Sequence, residues 1–445
     1  MTYALPSHYE VRAGWIQSNP LIGILTFPRE TEGGETGDRN SRSGTKRLNV
    51  RLPSSSAADT PYFEYSPGWL ETGFALGGDL PLISGRQKPL PGMRTFGFLK
   101  DRQPHPDAEV LFAPQPGEEM PAGYNPRMSK LECGAVSMPS SAIAYGGILF
   151  YGIDVPPQPS QPVVHLNDFR DLVFGWHAFE RGKSSVSETA LLRAAALSPD
   201  ERLSFSLLAN SRPCSITLTS LNDPYNVPFW RGFALKMARL AGIDTVDFRL
   251  ENHLGETYLN TARCDRTPLK RTPRGEKSPD RPVLIHMASA STLCLRRHPR
   301  TDRVAPVSYL GIADILNREG AEPGADLPRL WDRLVYTLLT NRAGDRPNRW
   351  QFVREELGWR LAPAHLLEWM PAGYGSRTQG ITADGRRQLV EAEDAVALCG
   401  YFALKTPDAK MRLMAIRRAL RDWEGMALEE GANPNDISMM ATLFD

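Results

Sequence analysis

Apolar residues recur along this chain in two rhythms, and the change from one to the other divides it. In the first third, short segments such as Ile22 to Phe27, Tyr62 to Tyr65 and Ile148 to Ile153 carry β-branched and aromatic residues between clusters of Gly, Pro and Ser. That pattern predicts strands. Between the first two lies Glu30 to Thr45, rich in Gly, Thr, Ser, Asp and Arg and almost free of apolar residues, which reads as a mobile surface loop. The run from Pro156 to Pro162 holds four prolines, each with a fixed φ and no N–H to donate, and marks a linker and domain boundary.

Beyond that run the spacing becomes helical. Phe229 to Leu240 places Phe233, Met237 and Leu240 on one face, with Gly242 positioned to end the helix in a left-handed turn. Leu327 to Asn341 repeats the pattern through Leu330, Leu334 and Leu338. Thr406-Pro407-Asp408 reads as an N-cap followed by proline in the first turn. From there one helix is expected to carry Leu413, Ile416, Leu420, Trp423 and Ala427 as far as Gly431. These stripes are core faces. No internal repeat is visible.

A length of 445 residues exceeds what one core holds, so two or three domains are expected. The 52 basic and 51 acidic residues leave a formal charge of +1, which argues against a broad non-specific nucleic-acid surface. Local basic runs, Arg263 to Arg274 and Arg296 to Arg303, keep a DNA-linked module open as a third reading beside a partner-binding protein and an enzyme. The five cysteines stand singly, with no CxxC spacing, which suits a reducing compartment. The N-terminus lacks a secretory pattern, and the longest apolar stretch, Ala142 to Val155, is glycine-broken and too short for a bilayer. A cytoplasmic protein without a membrane segment is expected.

An ordered series of segments resembles the marker stretches of one known protein family. Tyr62 to Leu70 with Gly78 to Leu82 is similar to the place where that family's N-terminal domain leaves a sheet for its first helix. Phe229 to Ile243 resembles the N-lobe helix, and Arg263-Cys264-Asp265-Arg266 the family's Arg-Phe-Asp-Arg strand, with Cys264 in place of Phe. Met287 to Ala290, Ser308 to Ile315, Trp359 to Ala364, Tyr401-Phe402 and Arg421 to Trp423 follow in the family's order. The series resembles the HipA family of serine/threonine kinases, and that resemblance implies an α+β, HipA/protein-kinase-like two-lobed fold with a β-rich N-terminal subdomain and a mostly α-helical C-terminal lobe. The expected division is residues 1–155 (β-rich domain), 156–300 (N-lobe-like α/β region) and 301–445 (helical C-lobe-like domain). It also implies a bacterial toxin–antitoxin setting. The family's active members are kinase toxins that bind ATP and magnesium between the lobes and phosphorylate a serine on a target. They are held inactive by a helix-turn-helix antitoxin that binds operator DNA.

The chemistry is tested residue by residue, because phosphoryl transfer depends on a few well-placed groups. The family's Gly-Gly-Ala-Arg-Pro-Lys phosphate loop is matched by Ala209-Asn210-Ser211-Arg212-Pro213-Cys214, in which both glycines and the basic tip are replaced. An ordinary hairpin accounts for the same residues. The ATP-contacting lysine falls near Thr217, and its acidic helix partner at Arg231. Lys236 would have to face inward to compensate. The catalytic Asn-Thr-Asp-Asp-His-x-x-Asn becomes Asn341 to Asn348, with Ala343 at the catalytic Asp and Asn348 at the metal-binding Asn. A methyl group cannot accept a proton. The magnesium-binding Asp falls at Leu366, beside His365, and leucine offers a hard cation no oxygen. Arg212, Asp265 and Arg266 are the family-like nucleotide-binding remnants. Asp265 and Arg266 read first as an ion pair bracing a strand against the helical lobe, and second as a nucleotide contact.

These replacements make a pseudokinase the leading expectation, acting through a protein partner (an antitoxin or companion protein of such a system) and reaching DNA only through it, with no cofactor. The alternative is an active, divergent kinase toxin using Asp345 and Asn348 with Mg-ATP.

Overall fold

A computed structural model describes residues 8–27, 60–102, 111, 146–153, 164–197, 203–209, 212–253, 255–267, 283–298, 301, 303–340, 346–371, 382–384 and 391–444. The expected loop at Glu30 to Thr45 and the proline run 156–162 lie outside them.

Three antiparallel sheets organise the chain. The first comprises β1 (His8–Ala13), β2 (Leu21–Thr26), β3 (Tyr62–Tyr65) and β4 (Ile148–Gly152), in the order β3-β2-β1-β4. Period-two alternation turns Tyr9, Val11 and Ala13 inward. They meet Phe63, Tyr65, Trp69, Phe96 and Phe98 in a core supported by two short helices, α1 (Pro67–Thr72) and α2 (Gly97–Lys100). Ser66 caps α1 by accepting from the Trp69 N–H at 3.2 Å. All three strands expected in this region are present.

The second sheet holds β5 (Ala196–Leu197), β6 (Ser204–Ala209), β7 (Arg212–Thr217), β8 (Phe248–His253) and β9 (Glu256–Ala262), in the order β5-β6-β7-β9-β8. Helices α3 (Phe169–Glu180) and α4 (Val186–Ala195) supply the apolar residues packed with Phe205, Leu207, Cys214 and Ile216. Helix α5 (Val227–Leu240) belongs to a different and larger core. That core also takes in α6 (Ala290–Leu293), α7 (Tyr309–Glu319), α8 (Pro323–Thr340), α9 (Ala392–Ala397), α10 (Thr406–Leu420), α11 (Trp423–Glu429) and α12 (Pro434–Ala441). The third sheet, β10 (Met287–Ser289), β11 (Gln351–Arg354) and β12 (Trp359–Leu361), sits within this helical assembly.

Sequence periodicity located α5, α8 and the stretch now divided between α10 and α11, and four details differ. Leu240 is exposed rather than on the buried face, because it lies in the last turn of α5; Phe233 and Met237 are buried as expected. Helix α8 begins a turn before the leucine stripe, at Pro323, and accommodates Pro328. The stripe from Leu413 to Ala427 is carried by two helices. Asp422 leaves helical geometry at φ −108°, ψ 36°, and α11 starts at Trp423. That break lets Trp423 pack against Trp230, Trp369 and Phe444. The cap of α10 is Lys405, not Thr406, with Pro407 in the first turn. Gly242 and Gly431 both adopt positive φ, as helix-ending glycines do. No described helix is long and apolar enough to cross a membrane.

Candidate functional site

Residues paired directly across an antiparallel sheet share a face. The pairs Phe205–Ile216 and Ser206–Ser215 therefore sort the β6–β7 hairpin into an apolar face toward α3 and α4 and a hydroxyl face carrying Ser204, Ser206, Ser215 and Thr217. Thr217 is buried there, its Oγ1 3.3 Å from the Ser204 hydroxyl. The position aligned with the ATP-contacting lysine thus contributes a neutral hydroxyl. Cys214 does not sit at a loop tip, as the sequence match suggested. It lies within β7 on the opposite, apolar face, its thiol donating to the Leu207 carbonyl at 3.4 Å. Burial pushes that thiol up to about 11, so it stays protonated and packs as a small apolar group. Ala209 pairs with Arg212, which is exposed, so residues 210 and 211 connect the strands; Asn210 itself lies outside the described residues.

Helix α5 carries Arg231 at the position aligned with the acidic partner of that lysine. Its neighbours hold the helix firmly against the helical lobe. The Trp230 indole donates to Asp436 at 3.2 Å, and the Asn226 N–H donates to the same carboxylate oxygen at 3.0 Å. From α8, the Tyr336 hydroxyl donates to the Ala234 carbonyl at 2.6 Å and accepts from the Trp369 indole at 3.1 Å. Arg231 is buried and reaches Glu368, with Nη2 3.2 Å from Oε2. Arg349 Nη2 reaches the same oxygen at 2.8 Å. Arg333 donates to the Arg349 carbonyl at 2.7 Å and lies over the Trp350 ring. Arg333, Thr337, Thr340, Arg349, Leu366 and Glu368 line a shallow cavity here.

One carboxylate shared by two buried guanidiniums therefore ties α5, the 3-10 turn Pro347–Arg349 and the segment after β12. Leu366 is buried beside it and offers no ligand oxygen. Lys236 does not turn inward; it pairs with Glu430 near the surface. Asn348 lies half-buried in the 3-10 turn, and its carbonyl accepts from the Gln351 amide at 2.5 Å. Ala343 and Asp345 lie outside the described residues. The described residues contain no group of three His, Cys, Asp or Glu side chains arranged to hold a metal ion.

Asp265 and Arg266 are brought together, but not against the helical lobe. Asp265 is fully buried and receives both Arg263 (Nε to Oδ1 2.8 Å, Nη2 to Oδ2 2.6 Å) and Arg266 (Nη1 to Oδ2 2.9 Å). The network extends to the β-rich N-terminal domain, where the Gly146 N–H donates to Asp265 at 2.8 Å and Arg266 donates to the Gly146 carbonyl at 2.9 Å. Arg263 also donates to Ser206 of the sheet at 2.7 Å. Burial raises the Asp265 pKa, but the two guanidiniums and the Gly146 N–H outweigh it and hold the carboxyl down at about 2. The basic run beginning at Arg263 is thus drawn inward at its start.

Sequence reasoning missed Glu368, Arg349 and Arg333. The available signal was Glu368 itself, a lone carboxylate in the otherwise apolar run from Leu366 to Trp369. A charge inside such a run is paired when buried.

Residues 232–423 match the HipA-like C-terminal domain. Among solved structures, the chain is similar to HipA of the Shewanella oneidensis MR-1 toxin–antitoxin system, solved with HipB and its operator DNA. The TM-score is 0.59 at 13% identity, over 98% of this chain and 96% of that one. A Helicobacter pylori proinflammatory kinase, CtkA, matches at 13% identity and a TM-score of 0.37, over 55% of this chain and 87% of that one. No curated protein matches. At this identity the likeness concerns fold alone: an α+β architecture like that of HipA.

Proposed function

We propose that this chain, a HipA-like protein by its C-terminal domain and its fold, is a pseudokinase that acts by binding a protein partner in a toxin–antitoxin-type system. The observation that carries the reading is the Arg231–Glu368–Arg349 triad beside Leu366. Metal-assisted phosphoryl transfer uses a lysine paired with an acid and a carboxylate on magnesium. Here the helix position carries a guanidinium, its partner acid comes from the segment after β12, and the magnesium position is a leucine. The charges that would handle phosphate and metal are instead spent on one another. Losing one transition-state electrostatic group commonly costs about 100- to 1,000-fold in rate, and several are replaced together.

The partner favoured is a helix-turn-helix antitoxin or a companion protein encoded nearby, with DNA contacted through it. The similar HipA structure was solved with HipB and its operator DNA. An active, divergent kinase working through Asp345 and Asn348 is the competing reading. Calorimetry with MgATP up to millimolar concentration separates them. Silence, together with capture of a neighbouring gene product by the full chain, supports the proposal. Magnesium-dependent binding followed by transfer that Asp345→Ala abolishes overturns it.

A further inference from the structure

The turn after β9 places the Cys264 thiol beside a soft donor atom from the first residue of β10 and another from the segment after β12. Cys264 Sγ stands 3.7 Å from Met287 Sδ and 3.9 Å from His365 Nδ1. We propose that Cys264, Met287 and His365 form a binding site for a monovalent soft metal ion, copper(I).

Geometry motivates the assignment first. Metal–sulfur and metal–nitrogen bonds of about 2.3 and 2.0 Å, set at trigonal angles, separate two sulfurs by about 4.0 Å and a sulfur from a nitrogen by about 3.7 Å. The observed separations fall within a few tenths of an ångström of both. Sulfur packing alone produces a contact like the first one, but it does not bring an imidazole nitrogen to the same thiol.

Chemistry selects the ion. Thiolate and thioether donors favour Cu(I), imidazole accepts it, and a thioether is a poor ligand for harder cations. Zinc prefers four N, S or O ligands and would find only two of its kind here. Binding releases the Cys264 thiol proton to solvent and leaves a neutral copper–thiolate unit. It also exchanges the 3.0 Å contact between His365 Nδ1 and the Pro363 carbonyl for the metal, with the ring proton on Nε2.

Placement supports the same reading. Met287 is buried, whereas Cys264 and His365 are each partly exposed, which leaves a route for a metal donor to the thiol. Neighbouring elements hold the donors: Met287 pairs with Val353 across β10–β11, and Ala364 makes backbone hydrogen bonds to Asp244 and Val246. Cys264 replaces the aromatic residue of the family-like Arg-Phe-Asp-Arg segment, and His365 immediately precedes Leu366. Where a hard magnesium ligand is missing, a soft donor set stands next door.

The test uses the reduced full-length chain under anaerobic conditions, titrated with Cu(I) in competition with bicinchoninate. The wild type is expected to retain one equivalent and to unfold at higher temperature with it. Cys264→Ser and Met287→Leu, checked for folding by circular dichroism, are expected to lose that equivalent, and zinc at the same concentration to leave it in place. Copper-edge absorption on the wild type is expected to show two sulfurs and one nitrogen, a readout independent of how any variant folds. Failure of the wild type to hold copper, or equal retention by Cys264→Ser, overturns the assignment.

Discussion

Arg231 on α5 and Glu368 after β12 are separated by more than a hundred positions in the sequence, yet their side chains meet at 3.2 Å with less than a tenth of either exposed. The carboxylate that balances Arg231 also balances Arg349 at 2.8 Å. This one acid therefore connects the helix of the smaller lobe to two segments of the larger.

Removing it should be costly. Glu368→Ala leaves Arg231 and Arg349 buried against each other, and breaking a buried pair from one side costs about 3–5 kcal/mol. Replacing the whole triad (Arg231→Met, Arg349→Met, Glu368→Leu) should cost much less, because no charge is left stranded. Denaturant unfolding of the two variants checks this. Equal destabilisation would mean that the triad's worth lies in packing rather than charge.

Asp265 is the corresponding bond to the N-terminal domain. Asp265→Asn keeps the shape but strands Arg263 and Arg266, again at about 3–5 kcal/mol. Because the aspartate's folded pKa of about 2 lies below its ordinary 3.8, its contribution is present above about pH 4 and fades as pH falls through 2. Hydrogen exchange should show the loss concentrated at β4 and Gly146, where the network crosses between domains.

His286 titrates in the acid range. It is fully buried, stacked on Trp15 at 4.4 Å, and neither ring nitrogen has a hydrogen-bond partner among the described residues. Burial, with Arg354 and Arg102 nearby, pushes its pKa down to about 3. Below pH 6.5 the unfolded chain takes up a proton that the native state refuses. Stability is therefore full above 6.5 and falls toward pH 3, by up to about 1.4 kcal/mol per pH unit. Asp79 and Asp332, raised to about 6 by burial, act in the opposite sense, losing stability as pH rises from about 4 to 6. Comparing wild type with His286→Phe cancels them. The stability difference between the two should move in the variant's favour as pH falls from 6.5 toward 3, by up to about 1.4 kcal/mol per pH unit.

The parts of this molecule that were legible in sequence are those written in local spacing. The strands at Leu21, Tyr62 and Ile148 and the helix through Phe233 announced themselves through period and punctuation. The break at Asp422 did not, because the apolar stripe continues in phase across it and only the distant Trp230 and Trp369 explain the turn. At the site, the replaced residues Thr217, Arg231 and Leu366 could be named one by one from the resemblance. What Arg231 does could not, since its partner lies 137 residues away and is set by tertiary packing. The Cys264–Met287–His365 cluster is hidden for the same reason: its members have no spacing in common.

The remaining question is whether the old metal position can be restored by one substitution. Leu366→Asp puts a carboxylate where the resemblance places the magnesium ligand. Leu366 shares its cavity with Arg333 and Arg349, so the new charge has guanidiniums at hand. Magnesium sheds water reluctantly and wants several oxygens in octahedral array, and among the described residues the cavity around Leu366 holds no carboxylate but the already committed Glu368. The new aspartate should therefore be captured internally. Calorimetry with MgATP should stay silent, and stability should change by less than the several kcal/mol that an unpaired buried carboxylate costs. Magnesium-dependent heat from this single variant would show that the arginines leave room for a cation.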